Sequence, residues 1–72
     1  MEEKITGWVA RDKQGDLYLY NEEPYKDNKY SEWLIGFDNE GKYIEIDSKL
    51  FPQVKWEDEE PTKVELTIKI CE

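Results

Sequence analysis

A period of two residues constrains this chain more than any other feature. From Lys63 to Cys71, Val64, Leu66, Ile68 and Ile70 fall on one side, and Glu65, Thr67, Lys69 and Cys71 on the other. That is the pattern of an antiparallel strand with one dry and one wet face. Leu17 to Tyr20 alternates in the same way, leucines on one side and tyrosines on the other. Ile5 to Arg11 sets Ile5 and Val9 against Trp8 and Ala10. Apolar residues on both sides suit a central strand or one wrapped into a barrel. No segment carries a helical period.

The stretch Trp33 to Ile46 reads as the organising hairpin. Trp-Leu-Ile-Gly-Phe and Lys-Tyr-Ile-Glu-Ile flank the loop Asp38-Asn39-Glu40-Gly41. Gly41 can take the left-handed conformation that closes such a loop, and Asp38 or Asn39 can bond its backbone. Asp12-Lys13-Gln14-Gly15 turns the chain between Ile5–Arg11 and Leu17–Tyr20, giving a first hairpin. Both hairpins share Asp-x-x-Gly, which would suit a duplicated unit but is better explained by two short β-loops that need the same turn chemistry. Beyond the central hairpin, Asp47 and Ser48 are placed to cap one helical turn, which Pro52 stops. Leu50 and Phe51 then plug an open end of the sheet, and Val54 to Trp56 runs extended. The expected fold is all-β: a single small domain, residues 1–72 with 1–4 frayed. Five or six short antiparallel strands are curled or closed into a barrel, since a flat sheet this small leaves its edges bare.

Only 72 residues must supply the core, and there is one cysteine, Cys71, with no histidine. No internal disulfide and no Cys/His zinc site can form, so stability falls to aromatic packing, with self-association as a further source. Three Trp, five Tyr and two Phe make that packing feasible.

Asp and Glu number 18 against 10 Lys and Arg, a net charge of −8. A phosphate backbone is repelled, so direct nucleic-acid binding is unfavoured, and a basic partner surface is favoured. No apolar run has the length of a membrane span, and no signal-peptide pattern follows Met1. A cytoplasmic location is the expectation, and an unpaired cysteine agrees with it.

Catalysis has little to work with. Without histidine no Ser-His or Cys-His pair exists, and Cys71 lies at the outward end of a strand. The expectation is therefore not an enzyme, with no cofactor and no metal. Asp12 with Asp16, or Asp38 and Glu40 near Glu45, do not follow the spacing of a calcium loop and read as solvated turns.

The residues left for recognition are aromatic and acidic. Tyr18 and Tyr20 project from the outer face of their strand. Tyr25 and Tyr30 interrupt the otherwise polar segment Asn21 to Ser31, either as a recognition surface or folded back as a lid. Trp56 precedes Glu57, Asp58, Glu59 and Glu60, a run that is a solvated loop in one reading and an imitation of a phosphate backbone in another.

A resemblance is carried by Trp8-Val9-Ala10-Arg11-Asp12, Gly15-Asp16-Leu17, the Pro24 loop, Leu50-Phe51-Pro52 with Val54, Trp56-Glu57-Asp58 and the strand Val64 to Ile70. In them the chain resembles short uncharacterised acidic β-proteins encoded by gut bacteria and their phages or mobile elements. The resemblance covers most of the chain through structural motifs. It implies a stand-alone accessory protein and supplies no activity. The function expected is a small non-enzymatic protein-binding module acting through an aromatic and acidic surface. The alternatives are an acidic inhibitor that mimics a nucleic-acid backbone, or a protein that self-associates through an edge such as Val64 to Ile70.

Overall fold

Asp12 closes the first hairpin. Its carboxylate accepts from the backbone N–H of Gln14 (3.0 Å) and of Asp16 (2.9 Å), which accounts for Asp12 as part of a turn. Gly15 sits there at φ +101°, where a side chain is strained. β1 (Glu2–Arg11) and β2 (Leu17–Tyr20) flank this turn and pair antiparallel, with Val9 opposite Leu19. The computed structural model describes residues 2–36 and 41–71. Among them are four more strands: β3 (Tyr25–Asp27), β4 (Glu32–Leu34), β5 (Tyr43–Ile46) and β6 (Thr62–Lys69).

Long-range pairing departs from the expected hairpin at Trp33–Ile46. β4 pairs with β3, and β5 crosses to pair with β2, Leu19 opposite Ile44 and Tyr20 opposite Tyr43. The two halves of that stretch thus belong to different sheets. Asp38, Asn39 and Glu40 of its anticipated turn lie outside the described residues. One sheet has the order β5-β2-β1-β6, and the other is the β3–β4 hairpin alone. The all-β class holds, with six antiparallel strands and no helix among the described residues, and the sheet does not close into a barrel. Its edges are not joined. Instead each face is partly covered by a different piece of chain.

On one face Val9, Leu17 and Val54 form a buried cluster, with Leu19, Ile46 and Val64 packed against it. The cover there is the segment from Asp47 to Val54, which holds isolated turns in place of the expected helical turn. Arg11, at the end of β1, organises it. Its guanidinium donates to the carbonyls of Val54 (2.7 Å), Gly15 (2.8 Å), Ser48 (3.0 Å), Leu50 (3.0 Å) and Phe51 (3.3 Å). Phe51 takes φ +49°, outside the helical region that Pro52 disfavours. Leu50 and Phe51 stay exposed, and it is Val54 that plugs this end.

On the other face Ala10, Tyr20 and Trp33 are buried together, flanked by Trp8, Tyr18, Ile35 and Trp56. The small side chain of Ala10 makes room for the Trp33 indole, whose N–H donates to the Arg11 carbonyl at 2.9 Å. One residue therefore fastens both layers: the Arg11 side chain holds the loop, and its backbone holds the hairpin.

Candidate functional site

Among the described residues both faces of the sheet carry open regions, and two of these differ sharply in chemistry. The first is apolar. Ile5, Gly7, Leu19, Ile44 and Leu66 line a shallow groove beyond the reach of the Val54 loop. Gly7 is its floor, since a Cβ there would lie 2.8 Å from the Leu66 methyl and 3.1 Å from the Tyr20 carbonyl oxygen. Ile5 and Ile44 are 49% and 60% exposed.

The second region is a cleft of about 360 Å³ between the sheet and the β3–β4 hairpin. Its walls are Tyr18, Tyr20 and Tyr43 on the sheet side, and Trp33, Leu34 and Ile35 on the hairpin side. Asp12 and Glu32 lie at its rim. The rings meet because of strand register. Tyr20 is directly opposite Tyr43, and Tyr18 is two residues along on the same face. Ring centroids are 5.7 Å apart for Tyr20 and Tyr43, 5.8 Å for Tyr18 and Tyr43, and 6.4 Å for Tyr18 and Tyr20. These are distances for edge-on and tilted aromatic contact.

The electrostatics of the cleft favour cations. Burial first, then the charges of Glu45, Asp12 and Asp16, raise the Tyr18 phenol above its ordinary value of 10. Burial also raises Tyr20, with Tyr18, Tyr43, Asp12 and Glu32 adding to it. Burial and the neighbouring carboxylates both act against forming a phenolate there. Among the described residues its lining carries two carboxylates and no lysine or arginine. Nearby the fold already holds a cation on aromatic rings. The Lys26 ammonium lies 4.2 Å from the Trp56 ring centre and 5.5 Å from that of Trp33, and it donates to the Trp56 carbonyl. Trp33 and Trp56 meet edge-on at 6.3 Å.

The residues singled out in the sequence are placed unevenly. Tyr18 lines the cleft half-buried. Tyr20, read as an outer-face anchor, is 4% exposed and belongs to the core beneath the hairpin. Tyr25 and Tyr30 do not fold back as a lid over the core; they are 45% and 66% exposed, and Tyr30 lies beside the Lys29 ammonium. Trp56 packs on Trp33 rather than standing free. In the acidic run Glu57, Glu59 and Glu60 are exposed. Asp58 closes a local turn, its carboxylate accepting from the Lys55 N–H at 3.0 Å. Tyr43, Trp33, Glu32 and Asp12 were not read as site residues. Tyr43 was legible, because it alternates with Ile44 and so shares a face with the tyrosines of any strand paired in that register. Trp33 and Glu32 reach the cleft only because β4 pairs with β3.

No three carboxylate or thiol side chains converge to hold a metal among the described residues. None of the described residues forms a helix long and apolar enough to cross a membrane. No family model, curated protein or solved structure matches the chain, and the functional reading rests on the chemistry of the cleft.

Proposed function

We propose that this protein is a small non-enzymatic binding module whose tyrosine-walled, acid-rimmed cleft receives a basic side chain from a segment of another protein. The observation that supports this is the convergence of Tyr18, Tyr43, Trp33, Asp12 and Glu32 around one open cleft. Aromatic faces attract a lysine ammonium or arginine guanidinium, and partial desolvation strengthens that attraction. The two carboxylates supply hydrogen-bond acceptors for the same cation. A net charge of −8 steers a basic partner toward the surface without fixing its register, which the ring geometry does. The exposed members of the Glu57–Glu60 run act in this reading as part of the steering field.

The test is a titration with short arginine- and lysine-containing peptides, followed by NMR at the Tyr18 and Tyr43 rings and the Trp33 indole. Saturable shifts at those groups are expected, with loss of binding in Tyr43→Ala, a variant of an exposed ring that leaves the core intact. Shifts confined to Glu57, Glu59 and Glu60 that vanish with salt would instead assign recognition to the acidic loop by charge imitation. A basic peptide that leaves all of these signals unmoved would remove the proposal.

A further inference from the structure

β6 is an edge strand, hydrogen-bonded to β1 on one side only among the described residues. Its apolar row ends in Ile68, 54% exposed, and continues to Ile70, 67% exposed. An uncovered edge with apolar side chains is a template for another strand. We infer that β6 pairs antiparallel with β6 of a second copy of this chain, around a two-fold axis at Thr67.

Charge selects the register. Directly opposite residues of an antiparallel pair share a face, so a two-fold pairing must centre on a residue. Centring on Glu65 sets Glu65 against itself, and centring on Leu66 sets Lys63 against Lys69. Centring on Val64 pairs Lys63 with Glu65, but it sets Glu60 against Ile68 and brings Pro61, which lacks an N–H, into the ladder. Centring on Ile68 leaves Glu65 opposite Cys71 and Lys69 opposite Thr67, with no ion pair. Centring on Thr67 alone sets Glu65 opposite Lys69 and keeps the other row wholly apolar, Leu66 against Ile68 and Val64 against Ile70. By symmetry each of these contacts occurs twice.

The same face already carries a row of alternating charge. Lys4 lies 3.9 Å from Glu65 and Lys69 3.7 Å from Glu2, all exposed. A second copy extends this row, each Lys69 lying between its own Glu2 and the second copy's Glu65. The two four-stranded sheets become one continuous sheet, and the exposed Ile68 and Ile70 gain lateral apolar neighbours.

Analytical ultracentrifugation of the full chain and its charge variants tests this. The wild-type chain is expected to dimerise. Lys69→Glu and Glu65→Lys each place like charges opposite at two symmetric positions and should weaken the dimer at least about tenfold. The double reversal E65K/K69E should restore it to within about threefold of wild type. That rescue separates the pairing from the internal ion pairs, because Lys4 and Glu2 then face like charges and would predict no recovery. Thr67→Cys combined with Cys71→Ser should give a disulfide-linked dimer under mild oxidation, since only a residue on the axis meets its own copy. Circular dichroism confirms that each variant folds. A wild-type monomer at hundreds of micromolar overturns the inference. So does a dimer indifferent to both single reversals, or a double variant no better than the singles.

Discussion

Removing the Arg11 guanidinium should come close to unfolding the domain. Arg11→Met keeps most of the aliphatic stem and deletes five hydrogen bonds to backbone carbonyls. Those to Val54 and Gly15 are partly buried, and those to Ser48, Leu50 and Phe51 are exposed. A hydrogen bond from a charged donor contributes about 1.5 kcal/mol at the low end, so the two partly buried ones account for about 3 kcal/mol. Water replaces the exposed three at a cost of a few tenths each, giving roughly 3–4 kcal/mol in all. A core of this size supplies only about 3–5 kcal/mol net. At about 4–8 °C per kcal/mol, the melting midpoint should fall by about 12–32 °C. Arg11→Lys, with three donors and no planar fork, should recover roughly half of the loss. Chemical denaturation measures the sum. Hydrogen exchange at the Val54 N–H, bonded to the Phe51 carbonyl at 2.9 Å, reports whether the Asp47–Val54 cover detaches first. If Arg11→Met costs under about 1 kcal/mol, the guanidinium is not what fastens that cover, and the account of the fold's first face is wrong.

Three further outcomes follow from the same geometry. Gly7→Ala pushes a methyl to 2.8 Å from the Leu66 side chain and 3.1 Å from the Tyr20 carbonyl, and it should destabilise by about 1–3 kcal/mol in denaturant titration; a neutral result would mean the Leu66 side chain turns aside to admit the methyl. Lys26→Met removes the ammonium between Trp33 and Trp56 and its bond to the Trp56 carbonyl. It should cost about 1–2 kcal/mol and alter tryptophan fluorescence, whereas an unchanged spectrum would mean the indoles do not depend on that cation. Because Tyr18 and Tyr20 hold their protons more tightly folded than unfolded, their contribution to stability is complete below pH 10. It is lost as pH rises above 10, where the unfolded chain ionises first. Denaturation midpoints measured across that range should fall for wild type and fall less for Tyr20→Phe; identical slopes would contradict the burial assigned to the Tyr20 phenol.

Alternation in the sequence determined the faces. Leu17 and Leu19 share one side of β2, Tyr18 and Tyr20 the other, and Val64 and Leu66 lie on the apolar side of β6, because successive side chains of a strand must point oppositely. The Asp12–Gly15 turn was equally local, and Asp12 closes it with its own carboxylate. Which strand meets which was decided only in three dimensions. Trp33-Leu34-Ile35 and Tyr43-Ile44 both read as strand, but Trp33 needs a small neighbour to lie on and an acceptor for its indole N–H. Ala10 and the Arg11 carbonyl supply both on a distant strand. That demand draws β4 off to β3 and frees β5 for β2. In sequence Lys26 lies within a polar segment and Arg11 at the end of a strand, and neither position shows what it will touch. Folding turns them into ties between segments, because a charge's role depends on which rings and carbonyls arrive beside it, and those come from 30 and 43 residues away.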